Sequence, residues 1–284
     1  MKRLITILTI LASMLAVSCN KAETPAHEEA MTYSVSIPTT KAVNADGSAI
    51  NKVWYALYKT DGTLVTNYQP VDFTGGSANC QVVMMRGQSY KIVFVAQYGE
   101  TYTITPATAT VSMPESPDAN SDNYDIFYFV EEVNNYTGQT TGAVTLNRAA
   151  ALVNFYSNDV DWNNAASLGS TPAYSSVKLT GVPSSFNLLT DTAGETTTIT
   201  YSRAEIPGNK HLAAAYCFDP DANIKAEVKL FTEDSDNSLV RTLEIADVPI
   251  ATNMQTNITG AIMTGTIDFT ISITTGTDSE NKEI

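Results

Sequence analysis

Histidine is almost missing from this chain, cysteine is rare, and no apolar run is long enough to span a bilayer permanently. The chain has two His, three Cys and two Trp in 284 residues. His27 and His211 lie far apart, so no His pair has metal-ligand spacing and no His–Cys arrangement suited to nucleophilic catalysis recurs nearby. A phosphate-binding loop is missing too, because Gly75-Gly76 and Gly181 have neither the required spacing nor a following helix. Basic residues are outnumbered, 16 Lys and Arg against 30 Asp and Glu, for a net charge of −14. Such a surface repels phosphate backbones, which excludes nucleic acid and anionic membrane surfaces as natural partners.

The chemistry that remains is non-catalytic. Two carboxylates can cleave a glycosidic bond when they face each other, but nothing in the order of the residues pairs them, and loop carboxylates are ordinarily solvated. No enzyme activity, cofactor or metal is expected. Asp118, Asn120 and Asp122, and again Asp219, Asp221 and Asn223, occupy positions 1, 3 and 5 of a Ca²⁺ loop. Position 12 is then Phe129 or Leu230 where a bidentate Glu is needed, so both read as polar turns.

What is present begins at the first residue. Met1-Lys2-Arg3, an apolar run from Leu4 to Val17, and Ser18-Cys19 read as a bacterial lipoprotein export signal. At about 14 residues the run is too short for a permanent span. Leu15-Ala16-Val17-Ser18 sets Leu one place further from Cys than the commonest pattern, and Cys19 is the expected lipidation site. Cleavage before Cys19 removes residues 1–18 and leaves the lipid as the attachment to an outer membrane. Residues 19–30 contain no large apolar side chain and read as a tether. Cys80 and Cys217 are too few for a disulfide framework and are expected as small buried apolar side chains, with pairing left open.

From Met31 the pattern is all-β: short runs rich in Thr, Val, Ile and Tyr between Gly, Asn, Asp and Pro. Val53–Tyr58, Asp61-Gly62 and Thr63–Val65 predict a hairpin, because Asp-Gly accepts the positive φ of a tight turn. Tyr90–Ala96 is apolar at both parities, as is Ile126–Val130, which predicts strands covered on both faces. Ala226, Val228 and Leu230 alternate with Lys225, Glu227 and Lys229, and Leu239–Ile245 returns as the hairpin partner. Length and pattern divide the chain into two β-sandwich domains, 31–148 and 149–284. The polar stretches Pro114–Asp125 and Asp159–Ser176 face a ligand or connect strands. Trp162 and Tyr174 are candidate sugar platforms, although such rings also serve as core or rim.

Three segments carry a family resemblance: the Val53–Val65 hairpin; Leu146, Arg148 and Ala151 in a Leu-x-Arg-x-x-Ala strand; and Pro249-Ile250 with Asn253, Thr256, Asn257, Ile258, Gly260 and the strand Thr266–Thr274. In order and spacing they resemble the fimbrillins, the type V pilin superfamily of Bacteroidota. The resemblance implies two β-sandwiches of transthyretin-like topology, export as a surface-exposed outer-membrane lipoprotein, and adhesion as a fimbrial subunit. It also implies assembly by strand exchange with other pilin subunits or with itself, in which a protease removes the first strand and a neighbour's strand fills the groove. Ile267, Phe269, Ile271 and Ile273 alternate with polar residues and form the candidate donor strand within 266–274; the same pattern suits a strand that completes its own domain. No Arg occurs between Asn20 and Met85, so Lys41 is the nearest candidate processing site, and retention of the first strand makes an anchor or accessory subunit. The alternative is a surface lipoprotein that binds a glycan or host receptor without polymerising.

Overall fold

The computed structural model describes residues 27–38, 49–159, 171–208, 210–261 and 269–275. Among them are twenty β-strands, three short 3-10 turns and no α-helix. Numbered in chain order, the strands form five sheets, an all-β architecture of the sandwich type. The first sheet has the order β4 (Ser77–Met85), β1 (Glu28–Ser36), β9 (Thr141–Thr145). The second runs β10 (Asn147–Arg148), β8 (Phe127–Val133), β5 (Tyr90–Gln97), β2 (Lys52–Lys59), β3 (Leu64–Asp72).

Residues past Arg148 build two more sheets. One is ordered β16 (His211–Phe218), β11 (Ala150–Ser157), β19 (Met254–Gly260), β20 (Phe269–Thr275). The other is β15 (Thr196–Glu205), β12 (Tyr174–Pro183), β17 (Ile224–Phe231), β18 (Leu239–Val248). A fifth, small sheet joins the two halves, with β14 (Thr192–Ala193) and β13 (Ser185–Asn187) from the second continuing onto β7 (Thr110–Ser112) and β6 (Thr103–Thr105) from the first.

Alternation explains how these layers stack. In β5, Ile92, Phe94 and Ala96 enter a core shared with the first sheet, while Val93 and Val95 enter a larger core shared with the second half. The strand is therefore apolar at both parities and sits at the centre of its sheet. The β2–β3 hairpin closes as its residues predict, with Gly62 at φ 86° and its N–H donating to the Lys59 carbonyl at 3.0 Å. β17 and β18 pair antiparallel, with Ala226, Val228 and Leu230 buried. The Ile126–Val130 strand is covered on both faces as expected, Ile126, Tyr128 and Val130 packing on the main core and Phe127 and Phe129 on the other, although Tyr128, Phe129 and Val130 are only half-buried. β10 pairs only with Phe127 and Tyr128, so the remaining edge of β8 is open to water.

The sandwich halves meet without a linker. Arg148 ends β10 and Ala150 starts β11, and between them Ala149 donates to the Ile126 carbonyl at 2.9 Å. Arg148 and Asp125 are 2 % and 1 % exposed and bond in bidentate fashion, at 2.8 and 3.0 Å. The guanidinium also lies 5.0 Å from the centre of the Phe127 ring. In the Pro114–Asp125 stretch, Asn120 is held at φ 60°, and its amide group donates to Ser175 and to the Glu205 carbonyl and accepts from Ala214 N–H, at 2.7–2.9 Å. The stretch is thus a latch onto the second half, and the Asn120 side chain is spent on it. Near the C-terminus, Thr256 donates to the Pro249 carbonyl at 2.6 Å and Asn154 to Asn257 at 3.0 Å, giving those motif residues structural work.

Removing one member of a buried ion pair strands the other charge, which costs about 3–5 kcal/mol, whereas replacing both with apolar side chains costs far less. Arg148→Met is expected to lower the urea-unfolding free energy by that amount. Arg148→Met combined with Asp125→Leu should recover most of the loss.

Candidate functional site

β1 has the alternation Met31-Thr32-Tyr33-Ser34-Val35-Ser36, with Met31, Tyr33 and Val35 at 8, 1 and 0 % exposure and Ser34 exposed. It is the middle strand of its sheet, antiparallel to β4 from Glu28 to Ser36 and parallel to β9 from Thr32 to Ser36. The strand starts three residues before Met31: Glu28, Glu29 and Ala30 carry little apolar surface and are held by pairing with Met85, Met84 and Val83. Glu29 also accepts from Arg86 at 2.7 Å, which holds the exposed Glu29 carboxyl below its usual range.

The slot is shaped for an aromatic ring. Tyr33 lies opposite Gly142 of β9, where an added Cβ would sit 2.7 Å from Tyr33 Cε1 and 2.7 Å from Met31 Cε. Only glycine leaves room there. The Tyr33 ring packs on Phe94 with centroids 5.2 Å apart, and burial, with smaller contributions from Glu131 and Tyr136, pushes its hydroxyl up to about 12. Burying Met31, Tyr33 and Val35 is worth roughly 1.5–3 kcal/mol each. That sum approaches the roughly 5–15 kcal/mol of a whole domain, so a slot emptied of β1 needs another strand. Met31, Tyr33 and Val35 were not singled out from the sequence, although their alternation with Thr32, Ser34 and Ser36 is the signal that marks an inward face. Gly142 carries no such signal, because its role depends on a strand more than a hundred positions away.

The described candidate donor residues fall in a different sheet from β1. β20 is antiparallel to β19, with Phe269, Ile271 and Ile273 facing the same side as Gly260, Ile258 and Thr256. Phe269 and Ile271 pack on the main core, while Ile273 is 42 % exposed. β20 is an edge strand, with no partner on its second side among the described residues. Ile267, Lys41, Trp162 and Cys19 lie outside the described residues, Lys41 falling between β1 and β2. Tyr174 opens β12, half-buried, and lines a depression of about 380 Å³ with Pro172, Glu205 and Ile206.

Among the described residues no three His, Cys, Asp or Glu side chains are grouped to share a metal ion. Cys80 and Cys217 are free and buried, and burial pushes both thiols up to about 12. His211 is 5 % exposed and stacked on Tyr156 at 4.6 Å, and burial lowers its pKa to about 4. These groups fill the core, and what the surface offers is strand edges and depressions.

Residues 21–284 match the model of the family described as "Family of unknown function (DUF6562)", and the chain belongs to that family. No curated protein matches it. Among solved structures it is similar to a candidate cell adhesion protein from Bacteroides uniformis, with a TM-score of 0.57 at 10 % identity, covering 88 % of this chain and 98 % of that one. It is also similar to a candidate adhesin from Bacteroides ovatus, with a TM-score of 0.50 at 13 % identity over 90 % and 96 % of the two chains. A third likeness is to candidate polysaccharide binding proteins from Bacteroides thetaiotaomicron, with a TM-score of 0.51 at 13 % identity over 81 % and 91 %. At these identities the likeness is one of fold.

Two outcomes follow from the slot and the core. Gly142→Ala should destabilise the protein by about 1–3 kcal/mol, the usual penalty for overpacking. Tyr33→Ala should cost less in the Gly142→Ala background than alone, a coupling that a urea double-mutant cycle reads directly. For His211 the folded pKa lies below the unfolded value, so the unfolded chain takes up the proton first as pH falls. Stability is therefore lost between pH 6.5 and about 4, by about 3 kcal/mol at the lower limit. His211→Phe should flatten that part of the pH profile relative to the native chain.

Proposed function

We propose that this member of the family is a non-enzymatic cell-surface adhesion protein, exported as a lipoprotein on Cys19 and assembled into fimbriae by β-strand exchange. The observation that carries this reading is the seating of β1. It is the first strand among the described residues, fully inserted between β4 and β9, and residues 37–51 are its covalent connection to β2 and the rest of the fold. A cut in that connection, at Lys41 or nearby, would leave β1 attached only by hydrogen bonds and its three buried side chains. Its release would open a slot that main-chain pairing and alternate apolar side chains of a neighbouring copy can refill. The segment 266–274 has that alternation and ends in an edge strand. The likeness of fold to candidate adhesins supports the adhesion role, and the three motif segments support the fimbrial one.

On this reading the chain divides into an export signal (1–18), a lipid-bearing tether expected over 19–30 but cut short by the start of β1 at Glu28, an N-terminal sandwich continuing to 148 and a C-terminal sandwich (149–284). The protein sits on the outer membrane by its lipid, or in the fimbrium when polymerised, and its partners are pilin subunits or copies of itself. A second reading is favoured by the depression at Tyr174: a non-polymerising lipoprotein that binds a glycan or host receptor there.

The unlipidated chain from Asn20, nicked lightly with trypsin and run unboiled on an SDS gel, separates these readings. Strand exchange predicts a ladder of stable multimers and thin filaments by electron microscopy, both abolished by deletion of 266–284. A single monomer band after cleavage in the 37–51 segment would sink self-polymerisation.

A further inference from the structure

A second depression, about 280 Å³, opens where the two halves meet, and its chemistry differs from that of the strand slot. β8 supplies Tyr128 and Glu132, β5 supplies Lys91, β10 supplies Asn147, and the turn between β13 and β14 supplies Leu189 and Asp191. We infer that this depression is a saccharide subsite that takes one pyranose ring of an uncharged glycan. The inference deepens the surface-binding role and does not depend on strand exchange.

The site is built, since its parts are held from both halves. The Tyr128 hydroxyl donates to Asp191 Oδ1, and the Tyr128 ring meets Phe186 edge-on at 5.4 Å, so the ring is fixed in place. Asp191 has φ 55°, a left-handed conformation uncommon outside Gly, Asn and Asp. The turn that imposes it is pinned by Asn187, whose side-chain oxygen accepts from Leu189 N–H and Thr190 N–H, each at 3.0 Å. At the opposite rim Lys91 and Glu132 are 3.3 Å apart.

The occupant follows from this lining. One ammonium and two carboxylates leave a net negative charge, which disfavours phosphate, sulfate and acidic sugars. An apolar floor of Tyr128 and Leu189 beside an amide, two carboxylates and an ammonium suits a ligand that is hydroxyl-rich on its rim and C–H-rich on one face. Carboxylates accept, ammonium donates and the Asn147 amide does both, which matches the dual character of hydroxyl groups. The volume lies just below the usual range for small-molecule pockets, so a single ring fits and a larger cofactor does not. Fixed polar groups around an aromatic ring are also the general form of a small-molecule site, and such sites favour the junctions between units.

The unlipidated chain from Asn20 should be screened on an array of neutral and sialylated oligosaccharides, and any hit titrated by saturation-transfer NMR. The expected result is binding of a neutral oligosaccharide that falls about ten-fold in both Asn147→Ala and Asp191→Asn, with unchanged unfolding curves, and stays within about two-fold in Tyr174→Ala. Binding lost in Tyr174→Ala but kept in the other two would move the glycan to the Tyr174 depression, overturning this inference while leaving a glycan-binding surface intact. Binding of sialylated glycans alone would overturn the ligand class. No glycan binding at all would overturn the inference and the receptor reading together, without touching assembly.

Discussion

The buried pair of Arg148 and Asp125 is the constraint on which the two halves depend. Two charges at 1–2 % exposure are tolerable only when every strong bond is made, and here the bidentate geometry and the Phe127 ring supply them. The pair fixes where β10 ends and therefore where β11 begins. Leu146 before it is buried, with its N–H on the Ser36 carbonyl at 2.8 Å, and Ala149, Ala150 and Ala151 after it are small enough to pass between sheets. The motif Leu-x-Arg-x-x-Ala is thus a description of a junction: apolar anchor, paired charge, small crossing residue. One motif ties the end of β1, the edge of the second sheet and the centre of the third.

Much of this was legible in the residues because the signals were local. Asp61-Gly62 announced its hairpin, and Lys225–Leu230 announced a half-buried strand with a returning partner. Tyr90–Ala96 announced a doubly covered strand, although only the structure shows that the second cover is the other half of the same chain. The parts that were not legible are long-range. The parallel pairing of β1 with β9 joins residues more than a hundred positions apart, and Gly142 acquires meaning only there. Asn120 reads as part of a polar turn, but its bonds to Ser175, Glu205 and Ala214, all far along the chain, could not be foreseen. The small sheet of β6, β7, β13 and β14 is built from runs of two or three residues, too short for any period to register. Among the expected site residues, Phe269, Ile271, Ile273 and Tyr174 can be located in the fold. Cys19, Lys41, Trp162 and Ile267 fall outside the described residues.

Function in this molecule rests on edges and surfaces. Among the described residues, His211, Cys80, Cys217 and the interior tyrosines are shielded groups whose pKa values are shifted chiefly by burial, which suits packing. On the proposed reading the strand slot and the edge strand β20 would be complementary halves of one contact between copies, and the mixed-charge depression where the halves meet would make a contact of a different kind. A polymer that repeats such a depression multiplies a weak single-ring contact into useful avidity, because linked sites raise the effective concentration of each next one.

The central claim is that the position of β1 between β4 and β9 is exchangeable between copies of the chain. Cryo-electron microscopy of the cleaved, assembled protein tests it most directly. Strand exchange predicts that the strand between β4 and β9 belongs to a neighbouring copy and carries the sequence of residues 266–274, with a side chain packed over Gly142. Density in that slot that traces to residues 28–36 of the same copy would contradict it.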